Sequence, residues 1–456
     1  MQESVHARVR ALAGELKPTL RLAVPLVFGQ LSAVGMNVVD ALLAGHLDAH
    51  TLAAVAVGTS VWALAIVSAI GVTMALQPSV AQLSGAGRPE LIGPLFRQAL
   101  WLALALGIVL SLAIATLGPL LVVLIGVDPA LVTDTTRFLH AIAPGAPALT
   151  LYFTLRGFSE GLGRTRPTLY FGLFGLALLV PLGYVLMYGR LGLPRLGALG
   201  SGIATALVLW LQVGALALYV ALRHHYRAYR PFARMERPDP RILRDLLRIG
   251  VPMGVTLFME ASLFVAVALI LGTLGTDIVA SHQIALNVAS IAFMVPLGVA
   301  MATTVRVGYA AGRGDQAEVR RAGLAGMLLV LATQGLSSAL MLLLPARIAA
   351  LYTSDAKVIA LAAQLLLLAG LFQFSDGIQA TANGALRGLK DTRVPMFITL
   401  FAYWLVGMPI GWWLAFHQGL GARGMWMGLI AGLSVAALLL PWRFWRLSRR
   451  PQADFG

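Results

Sequence analysis

Three carboxylates stand where an apolar chain has least use for charge. Asp40 is set in "MNVVDALLAGHL", Glu260 in "FMEASLF" and Asp376 in "FSDGIQ". The other sixteen of the 19 acidic residues fall in loops, tails or the ends of apolar runs. No Lys or Arg lies deep in those runs, so no permanent counter-ion is evident. A charge at mid-bilayer costs at least ~2.5–3.5 kcal/mol, which makes such acids markers of ion, proton or substrate pathways. Buried there, a carboxylate can take up a proton or hold a cation.

Each acid sits in a polar stripe at helical spacing. Gln30, Asn37 and Asp40 share one side of their run with Ala33 and Ala44. Thr256 precedes Glu260 by one turn; Gln283, Asn287 and Ser290 form a second stripe; Gln373, Asp376 and Asn383 form a third. Positions at this spacing share a helix face and can line one side of a cavity. Their oxygens are also what a hard monovalent cation accepts in place of water, so Na⁺ is a possible ligand of Glu260 and Asp376. A lone amide or hydroxyl in a membrane helix is more often an interhelical hydrogen-bond partner than a ligand. Glu160, beside Arg156 and Arg164, reads as a structural pair, and His282 as a structural helix-end residue. Phe258, Phe264, Phe293, Met294, Tyr403, Trp404 and Met408 suit either a cavity wall or ordinary packing.

The elements that carry these residues are membrane helices. The 456-residue chain has mean hydropathy +0.83, 59% hydrophobic residues and only 12% charged ones. Apolar runs near 20–44, 51–76, 95–117, 131–155, 166–188, 197–222, 247–272, 279–304, 321–344, 357–384, 394–416 and 422–445 each approach the ~20 residues a spanning helix needs. Segments of that length in hydrocarbon must satisfy their backbone internally, so the expected fold is an all-α membrane protein of twelve transmembrane helices. Kinks are expected at Pro25, Pro181, Pro252, Pro296 and Pro409.

The second half repeats the first at an offset of 227. "LRLAVP" (20–25) lies over "LRIGVP" (247–252), and Gly45, Gly71, Gly85 and Gly87 fall on Gly272, Gly298, Gly312 and Gly314. "GLGRTR" (161–166) lies over "GLKDTR" (388–393); after one inserted residue Pro181 and Gly183 meet Pro409 and Gly411. The expected organisation is a six-helix lobe over 1–222, a basic cytoplasmic linker over 223–246 and a second lobe over 247–456. Six spans per half is even, so both halves enter the membrane in the same sense.

Of 34 Lys and Arg, only Arg137, Arg190, Arg195, Arg347, Lys357 and Arg423 lie on the odd-loop side. The rest crowd the N-terminus, the even loops, the linker and the tail (Arg443, Arg446, Arg449, Arg450), which places both termini in the cytoplasm. The expected location is the bacterial cytoplasmic (inner) membrane. This asymmetry accounts for the net charge of +15 without nucleic acid. The charged N-terminus runs straight into an apolar span, so no removable signal peptide is expected. Cysteine is absent, which excludes disulfides and thiolate metal sites. No G-x-x-x-x-G-K-[ST] loop, HExxH or G-x-S-x-G occurs. The reading is therefore not an enzyme, with no ATP and no cofactor beyond a coupling cation. A monomer is expected.

Five stretches together resemble the multidrug and toxic-compound extrusion (MATE) family, in its bacterial NorM-type branch. They are "VVDALLAGHL" (38–47), "MALQPSVAQLSGAGR" (74–88), "FMEASLF" (258–264), "SHQIALN" (281–287) with "FMVPLG" (293–298), and "FSDGIQATANGALRGLKDTR" (374–393). The resemblance implies two six-helix lobes around a central cavity and export of cationic amphipathic drugs or dyes by antiport against Na⁺ or H⁺. It carries the N-lobe acid onto Asp40, the C-lobe acids onto Glu260 and Asp376, and a polar cavity position onto Gln283. Relatives often have asparagines around the span-5 proline, whereas this chain has Leu179 and Gly183. Asp40 therefore suits a proton better than a full Na⁺ cage; the C-lobe pair suits either ion. The repeat puts Val267 at the position of Asp40, so no acid is imposed there. Rival readings are a lipid-linked oligosaccharide flippase of the same superfamily, which would want bases in its cavity, and an exporter of a physiological metabolite.

Overall fold

The computed structural model describes residues 2–234 and 236–449, with side chains from residue 14 onward except 64, 65 and 68. The expected tail base Arg450 lies outside the described residues. Every regular element among the described residues is a helix. Its first part comprises α1 (Gln2–Leu47), α2 (Ala49–Thr73), α3 (Leu76–Gly85), α4 (Pro89–Leu124), α5 (Pro129–Ile142), α6 (Gly145–Gly161), α7 (Arg166–Tyr188), α8 (Ala198–Leu222) and α9 (His224–Arg227). There follow α10 (Pro240–Gly272), α11 (Thr276–Gly312), α12 (Gln316–Leu343), α13 (Pro345–Ala350), α14 (Ala356–Gly388), α15 (Arg393–Leu400), α16 (Met408–Trp412) and α17 (Gly421–Leu447). Among the described residues ten helices are long and apolar enough to span a membrane, and α5 with α6 makes an eleventh. The expected span 51–76 corresponds to α2, of 25 residues.

Two expectations need refinement. The span 131–155 is two helices bent by 45°. The break holds Pro144, which has no N–H to donate into the preceding turn; its own carbonyl accepts the Trp210 indole N–H at 2.9 Å. At the other refined position, α15 passes through wider π-helical turns at Phe401–Gly407 and Trp413–His417, on either side of α16 with its Pro409. The remaining expected prolines lie inside continuous helices: Pro25 in α1, Pro181 in α7, Pro252 in α10 and Pro296 in α11.

The chain divides into two compact units, Phe28–Gly254 (the N-unit) and the residues up to Val27 together with Val255 onward (the C-unit). In the N-unit, α4 and α6 pack through Thr150, whose hydroxyl donates to the Ala103 carbonyl at 2.8 Å. The segment after α8 is held on these helices. Tyr226 is buried with its hydroxyl 2.6 Å from Ser159. Arg97 donates to the Arg230 carbonyl at 2.8 Å and pairs with Glu236. Gln98 donates to the Arg237 carbonyl at 2.9 Å and accepts the Asp239 N–H at 2.8 Å. In the C-unit α14 packs along α11, where the Thr304 hydroxyl donates to the Gly384 carbonyl at 2.7 Å. Gly428 and Gly432 of α17 meet Gly407 and Gly411: a Cβ on Gly428 would lie 2.3 Å from the Gly411 Cα. Small residues at that crossing let two backbones touch, where dispersion and packing replace a hydrophobic drive.

Candidate functional site

Asp40 lies on α1 of the N-unit, opposite α8. Ser201 and Thr205, one turn apart on α8, each donate to one of its oxygens, at 3.2 Å to Oδ1 and 3.1 Å to Oδ2. A hydroxyl both donates and accepts, so the same two groups can serve an ionised carboxylate or receive the proton of a neutral one. An amide NH₂ could do only the first. Neither hydroxyl was among the residues expected at the site; their one signal is the i, i+4 spacing in "GSGIATAL". The absence of span-5 amides holds in three dimensions. Leu179 is fully buried beside Ala204 and Val208, and Gly183 faces the Leu43 side chain.

The other members of the α1 stripe are not gathered around Asp40. Asn37 is exposed. Gln30 accepts from Arg156 Nη2 at 2.8 Å, in a buried cluster centred on Glu160. That carboxylate takes Arg156 Nε at 2.5 Å, Thr168 Oγ1 at 2.7 Å and Gln77 Nε2 at 3.0 Å. Such a pair, with its remaining lone pairs filled, is a structural element whose breakage leaves a buried charge unpaired.

The C-unit uses a different plan. Gln379 on α14 donates through Nε2 to Asp376 Oδ1 at 3.3 Å and to Glu260 Oε1 of α10 at 3.4 Å. Two carboxylates sharing one amide repel each other, and a single cation or proton relieves that repulsion. Gln379 was also missed by sequence reasoning, although it lies three residues from Asp376. Asp376 and Asn383 are buried on α14, and Thr256 is buried one turn before Glu260. Gln373 faces away from the pair, accepting from Gln334 of α12 through both its side chain and its backbone carbonyl.

The absence of a basic partner needs correction. Helix α14 continues to Gly388, beyond the expected end at 384, so Arg387 belongs to the helix. It is buried, and its charge acts on Glu260. Tyr403, fully buried in the first π-helical stretch, has a hydroxyl without a hydrogen-bond partner among the described residues; both acids act on it electrostatically. Gln283 and Ser290 lie on an exposed face of α11, as does Asn287, which accepts from Tyr352 at 3.2 Å. His282 is buried and accepts the Trp426 indole N–H at 3.2 Å, a packing role. Phe264 packs on Phe372 with ring centroids 6.2 Å apart, and Phe258 is exposed. No group of three His, Asp or Glu that could hold a metal occurs among the described residues.

The internal repeat makes the two sites directly comparable. "GALG" (197–200), opening α8, lies over "GARG" (421–424), opening α17, and both leading glycines take a left-handed backbone (φ 54 and 53). This match places Met425 at Ser201 and Leu429 at Thr205, with Val267 already at Asp40. All three are buried in one apolar cluster of the C-unit. Conversely, Glu260, Asp376, Gln379 and Arg387 fall on Ala33, Leu149, Tyr152 and Glu160. Neither site has a copy in the other half.

The MatE family model matches this chain twice, over residues 25–185 and 252–413. A probable multidrug resistance protein NorM of Xanthomonas axonopodis pv. citri is 49% identical over 438 residues, covering 96% of this chain and 95% of that protein. The multidrug resistance protein PmpM of Pseudomonas aeruginosa is 44% identical over 447 residues, covering 97% and 93%. Among solved structures, a MATE transporter in the bent conformation matches with TM-score 0.89 at 20% identity, over 98% of this chain and 99% of that one. The eukaryotic MATE transporter AtDTX14 matches with TM-score 0.87 at 22% identity, over 98% and 100%. These structural likenesses speak to the fold.

Proposed function

The chain belongs to the MatE family, and we propose that it is a secondary active multidrug efflux antiporter, driven by H⁺ at Asp40 and by Na⁺ or H⁺ at the Glu260–Asp376 pair. It exports cationic amphipathic compounds by alternating access, without ATP, as a monomer in the bacterial cytoplasmic membrane with both termini inside. The observation that carries the coupling scheme is the contrast in donors. Reversible hydroxyls surround Asp40, whereas one amide is shared by the two C-unit acids.

A carboxylate that has taken a proton or Na⁺ no longer attracts a cationic drug, so ion entry and drug retention exclude each other at one group. Net transport then requires only that drug and coupling ion prefer different conformations of the carrier. Arg387 supports the same logic at Glu260, as a resident positive charge that competes with an incoming cation. Oxygens available to Na⁺ are those of Glu260, Asp376, the Gln379 amide and the Tyr403 hydroxyl. The test is ethidium efflux from proteoliposomes under a pH gradient alone and a Na⁺ gradient alone. Exchange driven by at least one gradient is expected. Equal ethidium movement with neither gradient imposed would remove the antiport reading.

A further inference from the structure

The last turns of α17 and the turn that follows carry a face that the transport scheme does not use. Leu438, Trp442, Trp445, Arg446 and Arg449 recur at helical spacing, and all five are exposed. The opposite side is fixed to the bundle: Phe444 and Leu447 are buried, Arg443 pairs with Asp391 at 2.9 Å, and Arg320 donates to the Ser448 carbonyl at 3.0 Å. On the open face the guanidinium of Arg446 lies 5.7 Å from the Trp442 ring centroid, and that of Arg449 lies 4.9 Å from the Trp445 ring centroid. Neither arginine takes part in an ion pair among the described residues.

We infer that this face is a binding site for an anionic phospholipid, with the phosphate between Arg446 and Arg449 and an acyl chain along Trp442 and Leu438. A guanidinium over an indole ring keeps its in-plane N–H donors free, and those donors match phosphate oxygens in a fork. Tryptophan favours the headgroup level of a bilayer, which sets the depth at which the bases meet the phosphates. Leu438, on the same face two turns earlier, offers the apolar continuation that a free phosphate ion would not need. The repeat supplies an internal contrast. The "GALG"/"GARG" match puts Leu218, Ala221, Leu222 and His225 of the first half where Trp442, Trp445, Arg446 and Arg449 stand. The first half ends on a single pair on another face, Arg223 with its guanidinium 5.0 Å from the Tyr219 ring centroid, so the double arginine–tryptophan face at these positions is not a product of the repeat.

The test is native mass spectrometry of the full-length protein released from nanodiscs containing equal phosphatidylglycerol and phosphatidylcholine. The wild type is expected to retain phosphatidylglycerol in its first lipid adduct. Each base near a membrane surface contributes roughly a fivefold preference, so Arg446→Gln/Arg449→Gln should lower the ratio of the two lipids about tenfold or more. Arg446→Lys/Arg449→Lys should keep part of the preference, because charge remains while the fork is lost. Trp442→Leu/Trp445→Leu should lower it about threefold. Arg234→Gln/Arg241→Gln removes the same charge from exposed positions elsewhere and should leave the ratio near wild type. Equal losses in the two arginine-to-glutamine pairs, or an unchanged ratio in Arg446→Gln/Arg449→Gln, would overturn the proposal.

Discussion

The two halves descend through one repeat yet hold their acids in opposite ways. In the N-unit a single carboxylate, Asp40, faces two hydroxyls of α8. The C-unit pairs Glu260 with Asp376 through one amide, with Arg387 acting on Glu260. The difference teaches that this fold tolerates a buried carboxylate only where its neighbours answer it. Where the C-unit has Val267 in place of Asp40, the facing positions have become Met425 and Leu429, and all three are buried together. Repeat-related positions are thus polar in one half and apolar in the other.

The largest expected effect comes from breaking that match. Val267→Asp would bury a carboxylate in the apolar cluster that holds Met425 and Leu429, at a cost of roughly 3 kcal/mol or more. It should appear as a marked drop in thermal unfolding temperature in detergent, while Asp40→Val stays near wild type in the same assay. Adding Met425→Ser and Leu429→Thr should recover part of the loss; an unstable triple variant with no recovery would undo the comparison. Next in size is Gln379→Ala. Losing a donor shared by two carboxylates costs about 1.5–3 kcal/mol per charged hydrogen bond, so C-unit cation affinity should change by about tenfold, read by isothermal titration with NaCl. Unchanged affinity would mean the amide is incidental to the pair.

Ser201→Ala and Thr205→Val should each weaken pH-driven efflux several-fold and leave Na⁺-dependent efflux alone, consistent with about 1 kcal/mol per hydroxyl. The smallest effect concerns the end of α1. Asp48 caps α2 by accepting the Thr51 N–H at 2.6 Å, and its repeat position is Gly275, which offers no side chain to cap α11. That backbone hydrogen bond, with the nearby Arg195 and His50 charges, holds the Asp48 carboxyl below the usual carboxylate range. A carboxylate with a depressed folded-state pKa stabilises above its ordinary range, and the contribution disappears as pH falls through the depressed value. Asp48→Ala should therefore cost about 1 kcal/mol at pH 7, and the difference from wild type should vanish in strong acid.

Much of this was legible in the residues. The three acids, the helical fold and the repeat follow from hydropathy and spacing, because a charge in an apolar run has few explanations. What escaped notice has physical reasons. Gln30 shares a face with Asp40 but lies ten residues away, about 15 Å along the axis, so a common face did not mean a common site. Ser201 and Thr205 are 161 and 165 positions from Asp40, and small hydroxyls in membrane helices are too frequent to stand out. Gln379 was visible at i+3 from Asp376, yet in an amide-rich stretch only the fold distinguishes it from Gln373, which turns to α12. The bend at Pro144 carried its own signal, a proline inside an expected span.

The central claim is that the two sites handle coupling ions differently, and one comparison reaches it directly. Proteoliposomes bearing wild type, Asp40→Asn or Glu260→Gln/Asp376→Asn would be loaded with ethidium and driven by a pH gradient or a Na⁺ gradient separately. The account predicts that Asp40→Asn lowers pH-driven efflux about tenfold or more and keeps any Na⁺-driven efflux within about twofold, while the double variant loses whatever Na⁺-driven component the wild type shows. Wild-type pH-driven exchange by Asp40→Asn would contradict it.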